Sequence, residues 1–361
     1  MSTTWGNGRL QALLGIEHPI LLAPMAGATT PALAAAVSNA GGLGGHGATT
    51  FAPDKLRAEI AAIRSATNRP IHLNFFAHAE PPEGGEAGPA MRAMLQELWT
   101  SQGMGALPPA SNPWPSFGES QLAVVQETRP QVVSFHFGLP EQGMVDAVKA
   151  AGCTVLASAT SPAEAVVLEQ RGVDAVIAQG FEAGGHSGIF LTDPVSGGMT
   201  TMTLVPQVAD AISLPVIAAG GIMDGRGIAA ALMLGASGVQ LGTAFLSCPE
   251  ASVSQPHRQA LLGAREKGTP TVLTRGVSGR PARGLANRLM TAVKALEHEA
   301  APFPMQNALT RSLGSAGDPE LTVMWAGGGA ALSRAMPAGE LVALLVEETT
   351  SILERLRPTD G

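Results

Sequence analysis

The stretch TVLASATSPAEAVVLEQRGVDAVIAQ, residues 154–179, contains one complete strand–helix–strand unit. Two apolar runs of strand length, 154–158 and 175–179, flank a segment that begins at Pro162 and ends before Gly172. Proline is favoured in the first turn of a helix and glycine directly after its last turn, so this segment is predicted to be a helix. A strand, a helix and a second strand in this order are typical of a parallel β-sheet.

The same alternation extends over most of the chain. Eight strands are predicted, at residues 20–24, 42–45, 71–76, 132–137, 154–158, 175–179, 216–219 and 238–241. The predicted helices between them cover residues 31–39, 53–65, 143–150, 162–170, 204–212 and 227–234. Eight repeats favour a closed (β/α)8 TIM barrel, with an open doubly wound sheet as the alternative.

Two segments interrupt this alternation. Residues 77–117 are rich in proline and glycine and contain one helical run at 89–102, and residues 249–335 carry helical patterns without alternating strands. The barrel is therefore predicted to comprise residues 1–76 and 118–248. An amphipathic helix at 338–357 returns residues 336–361 to it. The two interrupting segments are predicted to form a mainly helical extension that covers the active-site face.

Composition and charge limit the classes of partner. The net charge is −7 and the sequence has no basic cluster, so nucleic acid is not an expected partner. Cys153 and Cys248 lack the spacing of a zinc site or a disulfide framework, which fits the reducing cytoplasm. The first residues do not resemble a signal peptide, and the apolar runs are too short to span a membrane.

Polar side chains occur where the apolar strands end, which is the active-site end of a TIM barrel. The residues at these positions are Asn74, His136, Gln179, Gln240 and Thr243. The richest of the loops that follow the strands is GFEAGGHSG, residues 180–188. Its glycines allow a close backbone approach to a ligand, and its histidine, His186, is suited to proton transfer near neutral pH. Glu182 either orients that imidazole or is solvated.

Two glycine turns predict a phosphate site. Gly220-Gly221 and Gly242-Thr243 follow the seventh and eighth strands, where barrels commonly bind phosphate through backbone N–H groups. No set of residues with metal-ligand spacing surrounds them, so a phosphate-bearing organic cofactor is favoured over a metal. The side-chain amides of Asn74 and Gln179 can hydrogen-bond to a flat heteroaromatic ring. For His136, a buried structural role and a substrate-facing role remain equal alternatives.

At these residues the chain resembles the nitronate monooxygenases, formerly called 2-nitropropane dioxygenases, and in particular their bacterial class I group. The similar segments are PILLAPMAG (19–27), SFHFG (134–138), QGFEAGGHSG (179–188), AAGGI (218–222), DGRG (224–227), QLGTAF (240–245), SGRPARG (278–284), PMQN (304–307) and WAGG (325–328). The loop motif EAGGH alone is shared with FMN-dependent enoyl-thioester and quinone reductases. The 134–138 segment and the late segments are more specific to the nitronate enzymes.

The resemblance implies a barrel that binds FMN non-covalently and no metal. The implied FMN contacts are Ala23, Pro24, Met25, Asn74, Gln179, Gly184, Gly185, Gly220, Gly221, Gln240, Gly242 and Thr243. His186 is implied to be catalytic, with His136 beside it. The implied reaction uses a small-molecule nitronate and O2 and yields a carbonyl compound and nitrite. The oligomeric state, monomer or homodimer, is left open.

Two features depart from the family pattern. The chain contains no tyrosine, and Phe303 stands where relatives often have Tyr. His46 occupies a position where a small or apolar residue is expected. Two alternatives to the nitronate enzyme also follow from these residues. One is an FMN-dependent NAD(P)H:quinone or enoyl-thioester reductase, and the other is a flavin-binding protein without enzymatic activity.

Overall fold

The computed structural model of the chain describes residues 5, 8–191, 198–315 and 317–356. Eight parallel strands form the central sheet: β1 (Ile20–Leu22), β2 (Gly44–Gly47), β3 (Ile71–Phe76), β4 (Val132–His136), β5 (Thr154–Ala159), β6 (Ala175–Gln179), β8 (Val216–Ala219) and β9 (Gly238–Leu241). They are hydrogen-bonded in the order β1-β9-β8-β6-β5-β4-β3-β2. A parallel bridge between Leu21 and Leu43 joins the two ends of this order. The predicted barrel is therefore confirmed, and the open sheet is excluded.

Helices surround the barrel and form much of the extension. They are α1 (Arg9–Leu14), α2 (Pro31–Asn39), α3 (Pro53–Ala66), α4 (Pro89–Ser101), α5 (Glu119–Thr128), α6 (Gln142–Ala150), α7 (Pro162–Gln170), α8 (Thr201–Ala211), α9 (Gly225–Met233), α10 (Thr243–Leu246), α11 (Gln255–Lys267), α12 (Arg288–Ala295), α13 (Met305–Thr310) and α14 (Ala338–Arg355). Short 3-10 turns cover Glu297–Glu299 and Ala330–Leu332. Helix α14 packs against α2 and α9. Residues 1–4 and 357–361 of the predicted ranges lie outside the described residues.

The local sequence explains where the helices begin and end. The Ser161 hydroxyl accepts a hydrogen bond from the N–H of Glu164 (3.2 Å) and caps α7, which starts with proline. Gly172 has a φ of 79°, the left-handed conformation that follows many helices and that favours glycine. The turn chemistry that predicted α7 therefore also positions it.

Helix α1, which the strand pattern did not predict, closes the amino-terminal end of the barrel. Its Leu10 and Leu14 are buried in one cluster with Leu21, Val132 and Ile177 from the barrel strands. This packing fills the amino-terminal end with apolar side chains. A ligand site is consequently left at the carboxyl ends of the strands.

The extension, although mainly helical, also contains a small antiparallel sheet that the helical patterns of 249–335 did not predict. Strands β10 (Thr271–Thr274) and β11 (Ala282–Leu285) pair with each other, and β11 also pairs with the short strand β7 (Gly185–His186). Residues from both interrupting segments share an apolar cluster that includes Leu95 of α4 and Leu289 of α12. The division of the chain into a barrel and covering segments stays a prediction.

Gly44 in β2 provides a test of how tightly this strand packs against helix α2. A Cβ at Gly44 would collide with the carbonyl group of Ala34 in α2, whereas a Cβ at Gly143, in the exposed first turn of α6, has no neighbour within 4 Å. We expect Gly44→Ala to lower the free energy of unfolding by several kcal/mol, because backbone must move. The matched Gly143→Ala should raise it by about 0.5–1 kcal/mol. Urea unfolding measures both, and equal effects would contradict this packing.

Candidate active site

A cavity of about 530 Å³ opens at the carboxyl ends of the barrel strands. It is lined by all fourteen residues that the sequence predicts for the site: Ala23, Pro24, Met25, Asn74, His136, Gln179, Gly184, Gly185, His186, Gly220, Gly221, Gln240, Gly242 and Thr243. Their individual roles stay predictions. Their convergence from six separate strand ends defines one candidate active site.

The loop that carries His186 requires its glycines because other backbone lies against it. A Cβ at Gly184 would come within 2.6 Å of the backbone nitrogen of Gly327. The Glu182 carboxylate accepts hydrogen bonds from the backbone N–H (2.8 Å) and the hydroxyl (3.0 Å) of Thr201, at the start of α8. Glu182 therefore holds the loop to α8. It neither orients the imidazole nor is simply solvated.

The His186 imidazole faces the cavity in a neutral state. Its Nε2 lies 2.9 Å from Oγ of Ser278, and that hydroxyl also lies 3.2 Å from the carbonyl oxygen of Arg280. Because the carbonyl can only accept, Ser278 donates to it and accepts the N–H of His186. Nδ1 of His186 then has no proton, and it makes no hydrogen bond to the described residues. Burial, reinforced by His136 and Arg280, lowers the pKa of His186 to about 3.

His136 lies next to this loop, with both ring nitrogens engaged. Its Nε2 lies 3.1 Å from the backbone oxygen of His186, and its Nδ1 lies 2.9 Å from Oγ of Ser158. Burial lowers the pKa of His136 to about 4, although the bond to the His186 carbonyl opposes this shift. His136 is thus also neutral near pH 7.

The three predicted amide side chains differ in which of their polar atoms remain without a hydrogen-bond partner in the described part of the chain. Nδ2 of Asn74 donates to the Ser134 hydroxyl (2.8 Å) and lies 3.3 Å from the Ser134 carbonyl oxygen. Because the Ser134 carbonyl can only accept a hydrogen bond, the amide nitrogen of Asn74 must point towards it. Oδ1 of Asn74 therefore points away from Ser134 and is left for a ligand. Oε1 of Gln240 is buried and has no partner in the described part of the chain. By contrast, Gln179 binds the His186 carbonyl (3.0 Å) and the N–H of Gly188 (2.7 Å).

The two glycine turns present free backbone donors. Gly220 and Gly221 have φ angles of 116° and 70°, which favour glycine. Within the described ranges, the N–H groups of Gly221, Gly242 and Thr243 form no hydrogen bond. Unsatisfied N–H groups at the end of a cavity suit an anion such as phosphate. The Thr243 hydroxyl accepts from the N–H of Gly327 (2.9 Å) and ties the turn to the extension.

The extension supplies cavity residues that the strand pattern did not identify. Trp114, Asn307, Arg311 and Trp325 line the outer part of the cavity. Oδ1 of Asn307 is buried and has no partner among the residues described. The sequence contained a signal for two of these residues, Asn307 and Trp325. They lie in the segments 304–307 and 325–328, which the family resemblance included without giving either segment a role. Trp114, in a proline-rich stretch, had no such signal.

The two departures from the family pattern lie in different places. The Phe303 ring packs against the imidazole of His186, with centroids 5.4 Å apart, and against Phe137 at 5.0 Å. His46 packs elsewhere, with Nε2 3.3 Å from Oε2 of Glu59 on α3. Neither side chain lines the cavity itself, but Phe303 packs against His186, which does.

The fold and the site together define a TIM-barrel enzyme, with a mainly apolar cavity at the strand ends and a neutral histidine in its wall. A family model described as nitronate monooxygenase matches residues 7–348. The chain belongs to the nitronate monooxygenase family, and it is an oxidoreductase.

Individual relatives agree with this assignment. The chain is 48% identical over 351 residues to a nitronate monooxygenase of Pseudomonas aeruginosa strain PAO1, covering 94% of this chain and 98% of the relative. It is 44% identical to a nitronate monooxygenase of Paraburkholderia phytofirmans, covering 99% of each. Among solved structures, a nitroalkane oxidase from Streptomyces ansochromogenes matches with a TM-score of 0.87 and 36% identity, covering 96% of this chain and 99% of that chain. FabK from Thermotoga maritima matches with a TM-score of 0.75 and 33% identity, covering 97% and 98%.

Two searches of the described residues gave no match. No helix among them is long and apolar enough to cross a membrane. Nor do these residues contain a group of three or more His, Cys, Asp or Glu side chains that could hold a metal ion.

The buried histidines predict a loss of stability in mild acid. Burial lowers the pKa of His72 to about 3 and that of His257 to about 4, as it does for His136 and His186. In the unfolded chain such histidines bind protons as the pH falls through about 6.5, whereas the folded chain keeps them neutral. The free energy of unfolding should therefore decrease between pH 7.5 and 5.5, by about 1 kcal/mol for each of these histidines.

Urea unfolding at several pH values measures this dependence. His257→Gln, away from the cavity, should make it shallower. A stability that is constant between pH 7.5 and 5.5 would show that these histidines are not buried as described.

Proposed function

We propose that this protein oxidises alkyl nitronates with O2 to a carbonyl compound and nitrite, with FMN as its cofactor. The observation that carries the proposal is the neutral His186 imidazole. Its free Nδ1 faces a cavity that also holds unpaired amide groups and unbonded backbone N–H groups. Membership of the nitronate monooxygenase family supports nitronates as the substrate class.

The residues present fit FMN. The free N–H groups of Gly221, Gly242 and Thr243 would bind its phosphate. Oδ1 of Asn74 and the Gln240 amide would hydrogen-bond to its ring, while Ala23, Pro24, Met25, Gly184, Gly185 and Gly220 would line the space around it. When bound, FMN would carry electrons from the nitronate to O2.

The protein's own residues would position the substrate and exclude water from it. Phe76, Trp114 and Trp325 give the outer cavity apolar walls beside His186. An imidazole whose pKa is about 3 is a weak base at neutral pH, because general bases work best with a pKa near the working pH. We therefore propose that pre-formed nitronates, which need no deprotonation at carbon, are better substrates than neutral nitroalkanes.

The variant His186→Asn separates binding from proton transfer. The Asn amide retains hydrogen bonding near the position of Nδ1 but cannot act as a base. We expect FMN to stay bound and oxidation of neutral nitroalkanes, already slow with so weak a base, to fall by about 10²-fold, the lower end of the range for a general base. Oxidation of pre-formed nitronate should fall less, since its carbon has already lost the proton. Steady-state O2 consumption with each substrate measures the difference.

Ser278→Ala is the matched control, because it removes the hydrogen bonds of the Ser278 hydroxyl to Nε2 of His186 and to the Arg280 carbonyl but keeps the imidazole. It should affect both substrates to a similar, smaller extent. If His186→Asn lowers both activities equally, His186 acts in binding or charge stabilisation instead. If neither changes, the chemistry lies elsewhere in the cavity.

A second candidate is an FMN-dependent NAD(P)H:quinone or enoyl-thioester reductase on the same scaffold. The EAGGH loop motif and the similarity to the FabK structure favour it. The glycine-rich segment 41–47 has GxGxxG spacing at Gly42, Gly44 and Gly47, but Gly44–Gly47 form the buried strand β2 and not a turn between a strand and a helix, so the segment offers no nucleotide-binding fingerprint.

One pair of assays decides between the two functions. Protein loaded with FMN should consume O2 with propyl nitronate and release nitrite. Under anaerobic conditions NADH or NADPH should leave its flavin absorbance unchanged. Rapid anaerobic bleaching by either nucleotide, without nitronate turnover, would favour the reductase. FMN binding with neither activity would favour a binding protein.

A further inference from the structure

The backbone carbonyl of His186 receives two side-chain hydrogen bonds from the barrel. Nε2 of Gln179, at the end of β6, donates to it at 3.0 Å, and Nε2 of His136, at the end of β4, lies 3.1 Å away. Gln179 also accepts the N–H of Gly188 at 2.7 Å. Both donors thus act on the short segment that presents the His186 ring to the cavity.

The hydrogen bonds of His136 occupy its whole capacity as a neutral imidazole. A carbonyl oxygen can only accept, so Nε2 carries the single ring proton and Nδ1 must accept. The Ser158 hydroxyl, 2.9 Å from Nδ1, supplies the donor. Neither nitrogen is left to exchange a proton with a bound molecule, although the ring lines the cavity.

His136 can approach the loop this closely because Gly188 has no side chain. A Cβ at Gly188 would lie 2.8 Å from Cε1 of His136 and 3.0 Å from Cβ of Ser158. On its other side the loop pairs with the extension, where the N–H of Ser187 donates to the carbonyl of Pro281 at 2.8 Å. The His186 backbone is consequently held from both sides, and His136 forms much of the barrel side.

We infer that His136 is a positioning residue, which fixes the His186 backbone through its Nε2 proton and transfers no proton to or from the substrate. Ser158 orients the ring so that this proton points at the carbonyl. The inference rests on the proposed function, because it assumes that His186 contacts the substrate. Its structural content, the ordering of residues 184–188, can be measured without any substrate.

Two amide substitutions at position 136 separate positioning from proton transfer. In His136→Gln the side-chain nitrogen reaches about as far as Nε2, so it can still donate to the His186 carbonyl. In His136→Asn the amide reaches only about as far as Nδ1, and that hydrogen bond is lost. Neither amide can carry a proton as an imidazole does. A proton-transfer role would therefore be lost in both variants, whereas a positioning role survives in His136→Gln.

Hydrogen exchange and kinetics give two independent readouts on the whole protein. We expect the Gly188 amide to exchange on the order of fivefold faster or more in His136→Asn, and at nearly the wild-type rate in His136→Gln. With propyl nitronate, kcat should fall on the order of 10²-fold in His136→Asn, because misplacement of a reacting group is costly. In His136→Gln it should fall only several-fold.

Equal behaviour of the Gln and Asn variants in both measurements would overturn the inference. If the exchange rates differ as expected but no form of the protein oxidises a nitronate, the proposed function fails and the positioning role stands. Should His136→Asn not fold, Ser158→Ala provides a second test, because it leaves the ring proton without its orienting partner. Exchange at Gly188 should then also increase, and an unchanged rate would contradict the inference.

Discussion

The antiparallel pairing of Gly185 and His186 with Arg283 and Ala282 is the interaction on which the candidate site depends. A glycine-rich loop has a large conformational entropy when it is free, and ordering it requires compensating contacts. The extension provides them by adding two residues of the loop to its own small sheet. The barrel supplies the opposing contacts through Gln179 and His136. The extension is thus a structural part of the site.

Burial then determines the charge state of the site. The histidines around the cavity lose hydration, and no carboxylate forms an ion pair with either His136 or His186 in the described part of the chain. Desolvation disfavours the imidazolium form, so these rings act as fixed hydrogen-bonding groups with defined tautomers. Ser278 and Ser158 select those tautomers. Because His136 and His186 are already neutral, neither ring has to lose a proton before the pocket binds an anionic substrate.

The barrel was predictable from the sequence because its strands are buried on both faces and are separated by proline and glycine at helix ends. The site residues at the strand ends followed from the same rule. The strands β10 and β11 were not predictable, because they do not alternate with helices as the barrel strands do and β11 contains the polar Arg283. Strand β11 also pairs with Gly185 and His186, which are distant in the sequence. Glu182 was misjudged for a similar reason, since its partner Thr201 lies at the start of α8.

Helix α1 fills the amino-terminal end of the barrel with leucine side chains, and this limits how molecules reach the site. The cavity is closed at that end. Molecules that reach the strand ends therefore enter and leave from the side opposite α1, past side chains of the extension such as Trp114 and Trp325. Reactants and products consequently share one route.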